Sequence, residues 1–476
     1  MASFNLSAHP RWLWAVFAIA LAVRIVNVAD IARQPEIALT EDASLYWEGA
    51  RDWVASGGFN HIAPAPGGGQ TYLPEHERVP GYFLFLLPLR ALFGNDHIPV
   101  LIAQSLLDAV TCVLIALIGL RISRESGLLS GLLAAFWPNL IIHSGLVLTE
   151  TLFLFFAVLL MLAALRFADR LRPIDAWVTG LLCGTAIMVR PVMQFIPLAL
   201  MAAASLLPLL RRRRWQLAVV APILVAIGVA LPVAPQLVRN QIAFGEPRLT
   251  SQTGVHLLYW VAAQVDQIGS NTSFDDLSVR YQDELERRFA THGTTLSDAT
   301  PFQKDREMRS LALEILAAQP AKAIAQAWGQ GMALNILAPA ILGDPRIRAL
   351  KTESFMDSGG DIFSRARHLL ASAPPAYMIA AAVGGIGSAL TLALSALGFI
   401  MLLRRDLPLA LLSAALVGYF LLITGPVAAP KYRIPFEPVL ILTCAIGLAA
   451  VIDRQHRRRR VPPQPALPGG FSSGTE

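Results

Sequence analysis

Charge is scarce in this chain of 476 residues: Asp, Glu, Lys and Arg make up 15%, against 55% hydrophobic residues and a mean hydropathy of +0.53. So little charge excludes an ordinary soluble globular fold and points to a polytopic membrane protein. Cysteine is nearly absent as well. Cys112, Cys183 and Cys444 all lie inside apolar runs, with no spacing that would hold structural zinc, run redox chemistry or frame a disulfide scaffold. A P-loop, a dinucleotide glycine fingerprint, a Gly-x-Ser-x-Gly elbow and a His-Glu-x-x-His pair are all missing. Energy from cytosolic ATP is therefore not indicated, which favours a donor already activated in the membrane. The net charge of +6 and pI near 9.5 would suit nucleic acid in a soluble chain. Here the Arg clusters border apolar segments, where they set orientation, and nucleic acid is not expected as a partner.

What the chain has in abundance is apolar runs. A spanning helix takes roughly 20 mostly apolar residues. Runs of that kind lie near 12–31, 98–120, 127–143, 147–166, 174–190, 192–210, 216–238, 376–403, 407–427 and 434–453, about ten in all. Arg11 precedes the first of them with no small-residue cleavage site, so this run reads as a retained anchor. Basic residues gather in alternate short loops: Arg121 and Arg124; Arg166, Arg170 and Arg172; Arg211 to Arg214; Arg404 and Arg405; Arg454 and Arg457 to Arg460. By the positive-inside rule these loops and both termini face the cytoplasm. The 32–97 loop, the 143–149, 190–191 and 428–433 turns and the 239–375 region then meet on the opposite face. The apolar stretch 321–343 is expected on that face too, since counting it as a crossing would put Arg404 and Arg405 outside.

The stretch around which this outer face is organised runs from Leu39 to Phe59. Glu41 and Asp42 follow Thr40, a good helix N-cap, while Leu45, Tyr46, Ala50, Trp53 and Val54 recur at helical spacing before the Gly57-Gly58 stop. This predicts a short amphipathic helix on the membrane surface with two carboxylates at its start. Pro64 to Gly69 reads as an irregular piece, and Phe83 to Phe93, an apolar run interrupted by Pro88 and Arg90 and too short to span comfortably, as a second surface helix. From Ser273 to Leu316 the composition turns polar, which predicts the helices of a small solvated subdomain. The Pro/Gly/Ser-rich tail after Val461 is expected to be disordered. The Asn271-Thr272-Ser273 triplet matches a glycosylation acceptor, a pattern frequent by chance.

At the outer ends of separate helices sit Glu41 and Asp42, Arg78, His143, Glu150, Arg190, Arg239, Lys431 and Arg433. Ionisable groups at a membrane are costly, so several converging on one face form a functional-site hypothesis. Cations with a few carboxylates suit an anionic, phosphate-bearing ligand together with an acid that accepts a proton from an attacking hydroxyl. The plainer alternatives are capping of a helix by Glu41, Asp42 or Glu150, and snorkelling of each Arg to the interface. His143 and Glu150, seven residues apart across a turn, leave a divalent metal open as a cofactor; no other cofactor is indicated.

The order of these motifs resembles the polyprenyl-phosphate-sugar-dependent glycosyltransferases of the GT-C fold, the group that contains protein O-mannosyltransferases and the aminoarabinose transferase of lipid A. The matching pieces are Glu41-Asp42-Ala43-Ser44-Leu45-Tyr46, Arg78-Val79-Pro80-Gly81-Tyr82, Leu148-Thr149-Glu150, Arg190-Pro191, Val238-Arg239-Asn240 and Lys431-Tyr432-Arg433-Ile434-Pro435. The resemblance implies that an acid of the first outer loop is the catalytic base, a role that falls to Asp42, with Glu41 as runner-up. It also implies that Arg78, Arg190, Arg239 and Arg433 line the donor cavity. Tyr46 and Lys431 lie within the matching motifs.

The expectation is thus an all-α polytopic membrane protein, a GT-C-like helical bundle with outer juxtamembrane helices and a small periplasmic helical subdomain. Its parts are a catalytic module over 1–260 that includes the 32–97 loop, a periplasmic or re-entrant region over 261–375, C-terminal membrane helices over 376–453 and a basic, then disordered, tail over 454–476. The expected partners are a polyprenyl-phosphate-linked sugar, membrane lipids and a glycan, lipid or protein acceptor on the periplasmic face of a bacterial inner membrane. A flippase for a lipid-linked sugar and a non-catalytic envelope assembly protein are the alternatives, though no inverted repeat or interrupted helix pair favours transport.

Overall fold

The computed structural model describes residues 11–40, 42–65, 68–211, 215–270, 272–350, 364, 367–368 and 371–460, with side chains given to Gln455. Glu41, Asn271 and the tail after Val461 lie outside the described residues.

Apolar runs become long helices because a chain in lipid must satisfy its backbone hydrogen bonds within each segment. Among the described residues eight helices are long and apolar enough to cross a membrane. They include α1 (Trp12–Ile31), preceding α2 (Asp42–Ser56) and α3 (Gly81–Phe93), and then α4 (Ile98–Leu120). Next come α5 (Arg124–Ala135) and α6 (Pro138–Ser144), a pair bent by 47° that forms a ninth span if taken together. The long helices α7 (Glu150–Arg170), α9 (Ile196–Leu210) and α10 (Trp215–Phe244) follow, with the shorter apolar α8 (Pro173–Val189) between α7 and α9. The bent pair and α8 are the two of the ten expected runs that do not stand among the eight.

The middle region builds α11 (Thr253–Val255), a π-helical turn over His256–Ala262, α12 (Ala263–Ser270), α13 (Phe274–Thr291), α14 (Pro301–Ala318), α15 (Ala321–Leu337) and α16 (Pro345–Arg348). Two of these, α13 and α14, are the expected polar helices; they pack Leu277, Tyr281 and Leu285 against Leu311 and Ala312. The last three helices are α17 (Pro375–Arg405), α18 (Leu407–Thr424) and α19 (Glu437–Arg460).

Ion pairs mark the two ends of the bundle. At one end Arg121 after α4 pairs with Asp169 near the end of α7 and with Asp406 between α17 and α18. Arg211 after α9 donates to the carbonyl of Ala168. The basic loops of α4, α7, α9 and α17 therefore gather at the same end, and the turns at the other ends of these helices form the opposite face. The stretch 321–343 belongs to that opposite face. Its helix α15 rests at Gly331 on the backbone of Gly425 and Pro426, an approach that leaves no room for a Cβ.

Two local details differ from expectation. Two short strands flank the Pro/Gly-rich piece, β1 (Asn60–Pro64) pairing antiparallel with β2 (Gln70–Pro74) in the register Asn60↔Pro74 to Pro64↔Gln70. Five-residue strands ending in proline are too short to show period-2 alternation, so the sequence pattern missed them. The expected second helix is present as α3, which contains Pro88 and Arg90. Thr40 does not aim its hydroxyl into α2 but donates 3.2 Å to the carbonyl of Ile37, within the 3-10 turn Pro35–Leu39. The stop at Gly57 holds, with φ +69° ending α2.

The break between α5 and α6 frees carbonyls in an apolar surround, and Arg24 of α1 supplies donors for them. Its guanidinium, fully buried, bonds to the carbonyls of Ala134, at 3.0 Å, and Ala135. Its Nε donates 2.7 Å to the carboxylate of Asp108 on α4. One buried cation thus ties α1, α4 and the kink together, consistent with the rule that buried charges in membranes are paired.

Candidate active site

The first turn of α2 opens the site. Asp42 is exposed, and Lys431, in the 3-10 segment Pro430–Phe436, brings its Nζ to 3.4 Å from the Asp42 carboxylate. One turn further along α2, Tyr46 stacks edge-on to Tyr82 of α3, ring centroids 5.2 Å apart, and lies under the Arg78 guanidinium at 5.4 Å. Burial raises the Tyr46 pKa, Arg78 and Arg190 oppose the rise, and Glu150 and Asp42 add to it, so the phenol is a proton donor at neutral pH.

Glu150, at the first position of α7, and Arg190, just past α8, make the inner wall. Their charged atoms stand 2.6 Å apart, with Glu150 almost wholly buried. Arg190 also sits 5.8 Å from the centre of the Phe153 ring. His143, near the end of α6, is buried and holds its Nδ1 at 2.9 Å from the Asn139 carbonyl. A carbonyl only accepts, so Nδ1 carries the proton and Nε2 is left as an acceptor. Among the described residues no three His, Cys, Asp or Glu side chains lie together as a metal ligand set.

One further side chain faces this cluster without a signal in the sequence: His256, at the start of the π-helical turn. It is open to water, yet protein encloses enough of it that burial lowers its pKa; Asp42 works against that shift, while Lys431 and Arg190 work with it. The turn that carries it is fixed to α14 where Asp305, buried and paired with Arg248 at 2.5 Å, accepts from the Gly254 amide at 2.5 Å. π-turns inside helices recur at functional sites. A lone His in an apolar run has no such mark in one dimension.

The structure brings Asp42, Tyr46, Arg78, His143, Glu150, Arg190 and Lys431 to one end of the bundle. Arg239 and Arg433 are turned elsewhere. Arg239 donates to the carbonyls of Phe59, at 2.6 Å, and Glu75, at 2.5 Å, and lies over the Phe59 ring, so it ties the hairpin to α10. Arg433 is buried, with its Nε 2.7 Å from Glu437 and Nη1 at 3.0–3.1 Å from the carbonyls of Ala338 and Ile336. Beside Arg239 an apolar groove of about 1010 Å³ runs along α10, lined by Phe59, Pro74, Ile227, Leu231, Val238 and Ile242.

Residues 77–238, about a third of the chain, match the family described as dolichyl-phosphate-mannose-protein mannosyltransferase. That stretch carries Arg78, His143, Glu150 and Arg190, and the resemblance read from the sequence is borne out there. No curated protein matches the chain. Among solved structures, ArnT from Cupriavidus metallidurans bound to undecaprenyl phosphate aligns at 15% identity over 96% of this chain and 82% of its own, with a TM-score of 0.38. The apo state of the same protein aligns at 14% identity over 95% and 81%, with a TM-score of 0.35. Likenesses at that distance decide nothing about this chain's chemistry.

Proposed function

We propose that the chain is a membrane glycosyltransferase that moves a sugar from a polyprenyl-phosphate carrier to a hydroxyl acceptor on the periplasmic face of a bacterial inner membrane. The observation that carries this reading is the pairing of an exposed carboxylate, Asp42, with Lys431 beside the buried Glu150–Arg190 pair. The mannosyltransferase match over residues 77–238 supports the same class of chemistry.

In the proposed step the acceptor hydroxyl oxygen bonds to the anomeric carbon of the sugar and its proton passes to the Asp42 carboxylate. The bond from that carbon to the phosphate oxygen breaks, and polyprenyl phosphate leaves with the added negative charge. Lys431, Arg190 and Arg78 are the cations that would hold that phosphate, because fixed cations stabilise charge as it develops. Glu150 keeps Arg190 in place, and protonated Tyr46 donates a hydrogen bond. The apolar groove along α10 offers the isoprenoid chain a low-dielectric bed continuous with the membrane. The polar helices α13 and α14 would then shape acceptor choice.

The test is transfer from a panel of radiolabelled polyprenyl-phosphate sugars by the purified protein in lipid vesicles, wild type beside Asp42→Asn, with cell-envelope extract as acceptor. Transfer by the wild type alone supports the enzyme and the base. Labelled lipid that crosses the bilayer unconsumed would replace this reading with that of a flippase.

A further inference from the structure

Lys431 reaches Asp42 from the 3-10 segment Pro430–Phe436, and the groups that hold that segment are buried. The carboxylate of Glu437, fully buried at the start of α19, accepts from three donors. These are Arg433 Nε at 2.7 Å, Asn139 Nδ2 at 2.8 Å and the indole N–H of Trp137. Asn139 Nδ2 also lies 3.0 Å from the carbonyl of Pro430, next to Lys431. Arg433 passes the connection on to the last carbonyls of α15, and Asn335 of α15 closes it. Its side chain donates 2.9 Å to the Val427 carbonyl and accepts from the Ala429 amide at 3.1 Å.

We infer that Glu437, with Arg433, Asn139 and Asn335, forms a buried positioning hub that sets the loop Pro430–Phe436 so that the Lys431 ammonium stands against Asp42. Arg433 then serves the hub, with its Nε directed to Glu437 and its Nη1 to the end of α15. The hub also gives α15 a role as a brace, clamped onto Gly425 and Pro426 at Gly331. The same hub takes in Trp137 and Asn139 at the α5–α6 break, so it ties the loop to the helix that carries His143. A buried carboxylate with several satisfied donors is rigid, because every alternative arrangement leaves a charge or a donor unpaired.

This inference rests on the proposed reading of the site, and two readouts on the full-length protein in lipid vesicles keep the two apart. The first does not use turnover. In an Asp42→Cys, Lys431→Cys variant the rate of linkage by a short bifunctional thiol reagent reports how the loop stands over α2; the three native cysteines are buried. Adding Glu437→Gln should slow linkage about fivefold or more, since loss of one buried charge loosens its coupled partners. An unchanged rate overturns the inference. The second readout is kcat/KM for a labelled polyprenyl-phosphate sugar. Glu437→Gln should lower it about tenfold in the wild type and less than about twofold in a Lys431→Met background, because misplacement matters only while the ammonium is there. Equal losses in both backgrounds overturn the positioning role. If the wild type consumes no donor, the glycosyltransferase reading fails and the linkage rate alone decides the hub. Should Glu437→Gln fail to fold, Asn335→Ala enters both measurements in its place with the same expected outcomes.

Discussion

Lys431 and Asp42, 389 residues apart in the chain, meet with the ammonium 3.4 Å from the carboxylate. The start of α2 and the 3-10 segment before α19 thus meet at one end of the bundle. A cation beside an exposed carboxylate can orient it and can also hold a leaving phosphate, and the two roles separate by substitution.

Asp42→Asn removes the proposed base while keeping the shape of the side chain. The expected result is a loss of about 10²- to 10⁴-fold in kcat, the usual weight of general base catalysis. Asp42 is exposed, so thermal denaturation in detergent should be nearly unchanged. Near-normal turnover would remove Asp42 from the mechanism.

Arg190→Gln leaves Glu150 buried without its cation. Breaking one partner of such a pair costs about 3–5 kcal/mol, and replacing both partners costs much less. Arg190→Gln should therefore unfold at markedly lower denaturant, and adding Glu150→Gln should recover part of the loss. A double variant no more stable than the single one would show that the two charges are not coupled.

Gly81→Ala forces α3 away from α8. A Cβ at Gly81 would collide with the carbonyl of Met188 and come within 3.0 Å of the Val189 amide, one residue before Arg190. Overpacking of this sort costs about 1–3 kcal/mol. The expected outcome is a lowered melting temperature together with weaker donor binding, read as a raised KM. A variant with unaltered melting and KM would mean that α3 shifts without moving Arg190.

His76 of the first outer loop lies 2.8 Å from the Ser251 hydroxyl, and burial lowers its pKa below its ordinary value of 6.5; Glu75 and Glu77 work against the shift, His61 and Arg239 with it. The unfolded chain then binds the proton more readily than the folded one. Stability from this group is complete above pH 6.5 and is lost as the pH falls through the lowered folded value. His256, lowered by burial as well, acts with the same sign. The melting temperature should drop between pH 7 and pH 5, with a shallower slope in His76→Gln. An identical slope in that variant would assign the acid sensitivity to other groups.

Much of this organisation could be read in one dimension. Periodicity and length placed the apolar helices, the arginine runs sorted their ends, and motif order picked out Asp42, Tyr46, Arg78, Glu150, Arg190 and Lys431. What could not be read was which groups a charge would meet. Arg239 and Arg433 look like their neighbours in the sequence, yet one ties down a hairpin and the other anchors a loop. His256 carries no local signal because the charged groups that act on it, Asp42, Arg190, Asp305 and Lys431, come from other segments of the chain.

The sequence by itself determined a membrane-spanning helical chain with charged helix ends, because hydrophobic length and charge bias act locally and need no partner. Only the tertiary structure decided which of those charges stand together. An ion pair depends on distances of a few ångströms between atoms remote in the chain, and helix packing, the α5–α6 bend and the buried Glu437 carboxylate set those distances.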